Sequence, residues 1–256
     1  MNEQNKTLAR YYAKKKKQKK RRAVVFYTIL VTLLISVIAV LSLTVFFNIN
    51  TIKVTGNEYY TNKQIIKVSG LEKGQNLFRL NKFKIIDELK EQLPYLNTVE
   101  IDRHLPVSIE IKVTECEPFF YVKSAKNYYL VDSSLKVLEK TDKKPKNLAE
   151  VKGITVKDIK VSEPLTDKKG NENHLKQLCE QLYTQFGANK VTKLDLKATY
   201  DIKFTYEGRV KVKLGTLENL EQKLKLVDYV LGENSKSEHA EIDVSSGTRA
   251  YYKAAD

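Results

Sequence analysis

The chain has 256 residues, 42% of them hydrophobic, and a formal net charge of +14 at pH 7. This length provides room for one or two globular domains. Residues 1–22 alone contain ten basic side chains and one acid, so they supply +9 and leave an ordinary +5 for the rest. Because the charge is concentrated in this short segment, it does not indicate a nucleic-acid-binding domain, and we expect no nucleic-acid partner.

The next 25 residues, Ala23–Phe47, contain no charged residue, glycine or proline. As a helix they would extend about 37 Å, enough to cross a hydrocarbon core of about 30 Å. The hydroxyl side chains in this segment can return hydrogen bonds to the helix backbone: Thr28, Thr32, Ser36, Ser42 and Thr44. A cleaved signal peptide is the alternative, but it usually has a shorter apolar region and a small-residue cleavage site. The sequence therefore predicts an uncleaved membrane anchor.

The basic segment predicts the orientation of this anchor. Segments rich in Lys and Arg next to a membrane span stay in the cytoplasm. We therefore expect residues 1–22 to be a cytoplasmic tail, residues 23–47 to cross the cell membrane, and the rest to be extracytoplasmic. Residues 10–22 are expected to contact anionic lipids, at about 1 kcal/mol for each basic residue near the surface.

A small α/β pattern begins directly after the span. Val54 lies in a predicted strand, and Gly56 and Asn57 form a turn. Thr61 is a suitable N-cap for a short helix, which Gly70 ends.

A second helix and two strands complete this pattern. The helix, Lys82–Leu93, carries apolar residues that we predict on one face: Phe83, Ile86, Leu89 and Leu93. Strands follow at Thr98–Arg103 and Ser108–Thr114, with alternating apolar residues. The order β-α-α-β-β predicts a small domain with two helices on a three-stranded sheet.

The second half of the chain predicts a larger mixed domain. Its elements are, in order, a hairpin within Tyr128–Leu138, a helix at Asn171–Phe186, strands at Lys190–Leu196, Asp201–Tyr206 and Arg209–Leu214, a helix at Leu217–Leu231, and a closing hairpin of Ile242–Val244 and Thr248–Tyr252. The predicted fold class is therefore α+β: one N-terminal transmembrane helix, a β-α-α-β-β domain, and a second mixed α/β domain with a mostly antiparallel sheet.

Four short sequence elements occur in order after the anchor. They are Val54-x-Gly56-Asn57, Gly74-x-Asn76-Leu77-Phe78, Leu93-Pro94 with Val99-x-Ile101-x-Arg103-x-x-Pro106, and Ile111-x-Val113-x-Glu115-x-x-Pro118. With these elements the chain resembles the FtsQ/DivIB family of bacterial cell-division proteins, and the second half resembles the same family. The resemblance implies a POTRA domain at residues 48–117 and an FtsQ/DivIB-type β domain at 118–256.

The resemblance also implies a function and its residues. Proteins of this family bind FtsB/DivIC-type and FtsL-type partners, which implies a non-enzymatic divisome scaffold that helps regulate septal peptidoglycan synthesis at the division septum. The partner-binding residues it implies are Val244, Ser245, Ser246, Gly247, Thr248, Arg249, Ala250 and Tyr251. The POTRA motif residues it implies, with a structural or recruitment role, are Val54, Gly56, Asn57, Arg103 and Pro106.

The chain pattern itself is compatible with this binding role. A closing hairpin can leave its last strand at the edge of a sheet, where a partner strand can be added. The alternative is that Tyr251 and Tyr252 merely cover the core.

Little in the sequence indicates catalysis. Ser133-Ser134-Leu135-Lys136 matches SxxK, but it follows a strand, so we predict a hairpin turn. Asp132 and Asp243 precede turn residues and are predicted to accept backbone N–H groups. The three histidines lack metal-ligand spacing. We expect no catalytic residue, metal, cofactor or small-molecule substrate.

Two other questions stay open at this stage. The sequence favours free thiols at Cys116 and Cys179, although an extracytoplasmic location would permit a disulfide. The alternative functions are a membrane-anchored cell-wall enzyme and a POTRA-type protein-export module. The export module would require a C-terminal membrane barrel, for which this sequence offers no segment.

Overall fold

The computed structural model of the protein describes residues 3–156, 158–233 and 239–254. Its first element is one continuous helix, α1 (Glu3–Val45), which includes most of the basic segment as well as the apolar one. Within α1 the window Lys19–Ile38 has a mean hydropathy of 1.9, and none of it is buried. Among the described residues this is the one helix long and apolar enough to cross a membrane.

The hydroxyl groups of α1 bond to its own backbone. Thr28 donates to the Val24 carbonyl at 2.8 Å, Thr32 to Thr28 at 2.7 Å, and Ser36 to Thr32 at 2.9 Å. These bonds confirm the prediction for three of the five hydroxyls, because a bonded hydroxyl can face lipid at low cost. The side chains of the other two, Ser42 and Thr44, lie outside the described set.

The apolar helix ends two residues before the predicted end of the span. Phe47 lies in a turn after Val45, and its ring contacts the Phe78 ring edge-on at 5.1 Å between centroids. Its carbonyl accepts the Leu77 N–H at 2.9 Å. Phe47 therefore packs against the segment that carries the GxNLF element.

Backbone contacts divide the chain into two units. The first unit consists of the chain up to Lys53 with Leu71–Asn81 and Ile101–Glu110. Backbone bonds connect its pieces: the Ile49 N–H donates to Gln75, the Gly74 N–H to Ile49, and the Asn50 N–H to Val107, each at 2.8 Å. The second unit consists of Val54–Gly70, Lys82–Glu100 and the chain from Ile111 onward.

A three-stranded sheet has the strand order β1-β3-β2. Its elements are β1 (Thr51–Thr55), α2 (Asn62–Ser69), a 3-10 turn (Leu77–Arg79), α3 (Lys82–Gln92), β2 (Leu96–His104) and β3 (Ser108–Glu115). This order confirms the predicted β-α-α-β-β pattern. Thr61 caps α2 in a reciprocal box with Gln64, and Gly70 ends it in the left-handed conformation at φ +63°.

The predicted apolar face of α3 is partly wrong. Ile85 and Leu89 are its buried residues, whereas Phe83 is 81% exposed and Ile86 is only half-buried. Leu93, just after the helix, is buried as predicted. Ile85 and Leu89 are four residues apart and share one side of the helix, but Phe83 is about 200° from Ile85 at 100° per residue.

The second sheet has nine strands, in the order β12-β11-β10-β9-β8-β7-β4-β5-β6. The strands are β4 (Phe120–Ser124), β5 (Asn127–Val131), β6 (Val137–Thr141), β7 (Ala149–Lys152), β8 (Val191–Asp195), β9 (Ile202–Tyr206), β10 (Val210–Gly215), β11 (Ala240–Asp243) and β12 (Tyr251–Ala254). Five of its eight pairings are antiparallel, which confirms the predicted mostly antiparallel sheet.

Two helices and this sheet together form one hydrophobic core. The helices are α4 (Glu172–Phe186) and α5 (Leu220–Glu233). The core cluster includes Leu178 and Leu182 of α4, Leu224 and Val227 of α5, and the inward residues Leu194, Phe204, Val212 and Ile242 of the sheet. The helix α5 begins three residues later than predicted, so Leu217 precedes it.

Candidate partner-binding edge

The strand β12 lies at one end of the nine-stranded sheet, next to β11. All four of its residues are exposed, including Tyr251 at 61% and Tyr252 at 37%. Tyr251 therefore does more than cover the core, whereas most of the Tyr252 surface is covered. The strand begins at Tyr251, later than the predicted Thr248, because residues 244–250 form the connection from β11.

The two ends of this sheet differ. At the other end, the β6 residue Val137 exchanges backbone bonds with a later segment: its N–H donates to Glu163 at 3.0 Å and its carbonyl accepts from Ser162 at 2.8 Å. That segment covers the start of β6, as natural sheet edges often require. Among the described residues, no strand lies beyond β12.

The connection from β11 to β12 is held at its start. Val244 is fully buried, and its N–H donates to the Lys213 backbone carbonyl at 3.0 Å. The Asp243 carboxylate accepts the Ser245 N–H at 2.9 Å and lies 3.4 Å from the Lys213 ammonium group. Burial alone would raise the pKa of Asp243, but Ser245 and Lys213 hold it below its ordinary value. This confirms the predicted turn role of Asp243.

The middle of the connection is a mixed surface. Gly247 is buried, and its N–H donates to the Val244 carbonyl at 3.0 Å. Ser246 accepts the Arg249 N–H at 3.3 Å, which orders the exposed part. The predicted partner-binding residues thus form one continuous segment, in which the exposed members are Ser245, Ser246, Thr248, Arg249 and Tyr251.

A buried lysine beneath this connection was missed by sequence reasoning. Lys223 of α5 is 2% exposed, and its ammonium group donates to the Leu214 carbonyl at 2.9 Å and to Thr216 at 2.8 Å. A Cβ at Gly247 would lie 3.6 Å from Lys223 Cε, so this glycine packs over the lysine stem. Burial lowers the pKa of Lys223. In the sequence Lys223 lies next to Leu224 in an apolar helix pattern, and nothing else there indicated that its side chain would be buried.

The motif residues at the start of the second unit build a tight turn. Val54 is buried, and Gly56 has φ +85° with a Cβ position only 2.0 Å from the Val113 carbonyl oxygen. Asn57 donates from its side chain to the Tyr60 carbonyl at 2.7 Å. The Glu115 carboxylate accepts the backbone N–H groups of residues 58–60. These residues shape the backbone of the turn, which is a structural role.

The two remaining motif residues lie in the first unit. The Arg103 guanidinium donates to the Leu80 carbonyl at 2.9 Å. Pro106 follows a cis peptide bond from Leu105, in the connection between β2 and β3. Arg103 therefore ties β2 to the residue that follows the 3-10 turn.

The SxxK sequence forms the predicted hairpin turn between β5 and β6. The Asp132 carboxylate accepts the N–H groups of Ser134 and Lys136 at 2.9 and 2.8 Å. The Lys136 ammonium group donates to the Leu96 carbonyl at 2.7 Å. The lysine of the SxxK sequence is therefore already bound to a backbone carbonyl, whereas a catalytic lysine would activate the serine.

Other chemically reactive groups are dispersed. Cys116 and Cys179 are free thiols, as the sequence favoured, and burial raises the pKa of both. His104 Nε2 lies within hydrogen-bond distance of the Glu110 carboxylate, at 3.0 Å. Among the described residues, no three His, Cys, Asp or Glu side chains are grouped as a metal site.

Comparisons with known proteins agree with the fold. Residues 47–115 match the family described as POTRA domain, FtsQ-type, and residues 120–245 match the family described as Cell division protein FtsQ/DivIB, C-terminal. The cell division protein DivIB of Clostridium botulinum is 32% identical over 233 residues in strain Loch Maree and 31% over 232 residues in strain Hall. Each alignment covers 88% of this chain and 89% of the relative. DivIB of Clostridium acetobutylicum is 30% identical over 204 residues, or 78% of this chain and 80% of the relative.

The fold defines a class of α+β proteins in which an apolar N-terminal helix precedes a POTRA-type module and a larger mixed-sheet module. The chain belongs to the FtsQ/DivIB family of bacterial cell-division proteins. This confirms the family that the four sequence elements indicated.

Proposed function

We propose that this protein is a non-enzymatic divisome scaffold that binds FtsB/DivIC-type and FtsL-type membrane proteins and helps regulate septal peptidoglycan synthesis. The observation that carries the proposal is the open sheet edge at β12, with exposed Tyr251 and Tyr252. An extended partner segment can add to such an edge through backbone hydrogen bonds, while side-chain contacts set the register.

Membrane anchoring supports this mechanism. Residues 23–47 would hold the protein in the cell membrane, with residues 1–22 in the cytoplasm on anionic lipid and the two modules, 48–117 and 118–256, outside. Co-anchored partners are confined to the same plane, so their effective concentration at the β12 edge is raised without any further contact.

The scaffold role is favoured over a membrane-anchored cell-wall enzyme. The SxxK sequence would require a serine activated by its lysine. Here the lysine, Lys136, already donates to Leu96, and Asp132 organises the segment as a turn. We therefore propose no catalytic role for Ser133. Cells that carry the Ser133→Ala variant should divide normally.

Two matched substitutions test the binding edge. Tyr251 and Tyr229 are both exposed tyrosines, at 61% and 69%, but Tyr229 belongs to the helix α5 and not to the edge strand. The full chain is co-expressed in membranes with the DivIC-type and FtsL-type proteins of the same organism, and their co-purification is measured. Tyr251→Ala should weaken capture about 30-fold, as expected for an aromatic anchor of about 2 kcal/mol. Tyr229→Ala should not change it.

A second variant tests the strand itself. A chain that stops after Ala250 lacks β12 but keeps the connection that packs on Lys223. It should lose capture of both partners. Capture equal to that of the intact chain would refute binding at this edge.

The orientation has its own test. An epitope tag placed before Met1 should be cleaved by an external protease only after the membrane is opened. Cleavage in intact cells would refute the proposed topology.

A further inference from the structure

On the side opposite its core, the nine-stranded sheet has an open face at β8, β9, β10 and β11. Along β8, β9 and β10, Leu194, Phe204 and Val212 point into the core, so their neighbours in sequence point away. The neighbours are mainly lysines, and they surround a shallow depression of about 360 Å³. We call it the lysine depression; its charged lining residues are Lys152, Lys193, Lys203, Lys211, Lys213, Asp195 and Glu241.

The strand register arranges this face in two rows that run across the sheet to β12. The first row is Glu150, Lys193, Thr205, Lys211, Glu241 and Lys253. The second row is Lys152, Asp195, Lys203, Lys213, Asp243 and Tyr251. Both rows therefore end on the strand that forms the open edge.

The positive charge of the depression is only partly neutralised. Lys203 pairs with Asp201 at 2.7 Å and Lys213 with Asp243 at 3.4 Å. Lys193 and Lys211 form no ion pair with any residue that the structure describes. Lys203 and Lys213 also lie directly opposite each other, an arrangement of like charges that destabilises a sheet.

The geometry fits a carboxylate above Thr205. Lys193 and Lys211 flank Thr205 on the two adjacent strands, so their Cα atoms are about 9.5 Å apart at ordinary strand spacing. Two flexible lysine side chains can converge on one acidic group from that separation. Asp195 and Glu241 also line the depression, so its charged lining residues have a net charge of +3.

The continuity of both rows with β12 identifies the source of the acidic group. We propose that the segment flanking the strand added at β12 is an acidic peptide that lies across the open face, with a carboxylate over Thr205 between Lys193 and Lys211. This inference rests on the proposed function, since it assigns the chemistry of the same partner. It adds a charge requirement that strand addition by itself does not have.

The test uses the full chain in nanodiscs of neutral phosphatidylcholine and a fluorescein-labelled 15-residue polyglutamate peptide. The test variant is Lys193→Gln with Lys211→Gln. Its matched control is Lys126→Gln with Lys146→Gln, two exposed lysines outside the depression. Any binding to the basic tail is common to all variants. By fluorescence anisotropy, the test variant should bind about tenfold more weakly than the control, with a shallower salt dependence.

Inorganic polyphosphate of equal total charge tests the competing interpretation, in which the depression binds an anionic polymer. If it binds more tightly than polyglutamate, and this binding depends on Lys193 and Lys211, the acidic-peptide assignment is overturned in favour of an anionic polymer. Equal affinities of the test and control variants for polyglutamate overturn the site itself.

The two proposals fail separately. The chain that stops after Ala250 should lose its membrane partners but retain polyglutamate binding within about twofold, because Lys193 and Lys211 remain. The Lys193→Gln, Lys211→Gln variant should lose polyglutamate and also capture the partners more weakly. Partner capture by the truncated chain refutes strand addition and leaves the polyglutamate result standing. Full partner capture by the lysine variant refutes the acidic flanking segment.

Discussion

The turn glycine Gly56 permits a sharp test of the motif geometry. Its φ is +85°, and a Cβ added there would lie 2.0 Å from the Val113 carbonyl oxygen and 3.2 Å from the Val113 carbonyl carbon. The Gly56→Ala substitution therefore requires movement of backbone atoms, in addition to a left-handed conformation that alanine disfavours.

A second glycine separates these two costs. Gly74 has φ +90°, but no atom lies within 4 Å of its Cβ position. The Gly74→Ala substitution should lower the free energy of local unfolding by about 1–2 kcal/mol, the cost of a left-handed alanine. Gly56→Ala should lower it by a similar amount and by about 2 kcal/mol more, because backbone atoms must move as in overpacking substitutions.

Hydrogen exchange followed by mass spectrometry measures the difference locally. In the full chain in detergent micelles, amides of Ser108–Glu115 should exchange faster in Gly56→Ala. The additional 2 kcal/mol corresponds to a further increase of about 30-fold in exchange rate, beyond the increase that Gly74→Ala causes around Gly74. Equal changes in the two variants would refute the close approach to Val113 as the reason for glycine in this motif.

Three further predictions concern side chains whose environment the fold determines. Burial raises the pKa of Cys116 to about 11, so iodoacetamide at pH 8 should alkylate it about 100-fold more slowly than a free thiol; equal rates would contradict its position. Glu115→Ala removes the acceptor of three N–H groups, so amides 58–60 should exchange at least tenfold faster; unchanged exchange would contradict this role. Burial lowers the pKa of Lys223 from 10.5, so the unfolded chain binds more protons in the alkaline interval below 10.5. The urea midpoint relative to Lys223→Met should therefore rise as the pH increases toward 10.5, and a fall would contradict the burial.

Local patterns were sufficient for much of the fold. The alternation in β2 and β3 gave buried Val99, Ile101, Ile109 and Ile111, and the capping residues Thr61 and Gly70 marked both ends of α2. These features depend on neighbours within a few residues, so periodicity and capping chemistry report them directly.

The elements that were missed have no such local signal. β4 begins with three consecutive buried residues, Phe120, Tyr121 and Val122, and therefore lacks alternation. β7 has only four residues and pairs in parallel with both β4 and β8, which are distant in sequence. Phe83 was assigned to the wrong face because a single short helix contains two overlapping apolar stripes.

Composition and residues close along the chain were enough to predict the apolar N-terminal helix, the family, and the turn roles of Asp132 and Asp243. Three features are visible only in the folded chain: β12 is the open end of a nine-stranded sheet, Lys223 lies buried beneath the connection to it, and lysines from β7 to β10 share one depression. Strand order and cross-strand register join residues that are far apart in sequence, and no local period encodes them.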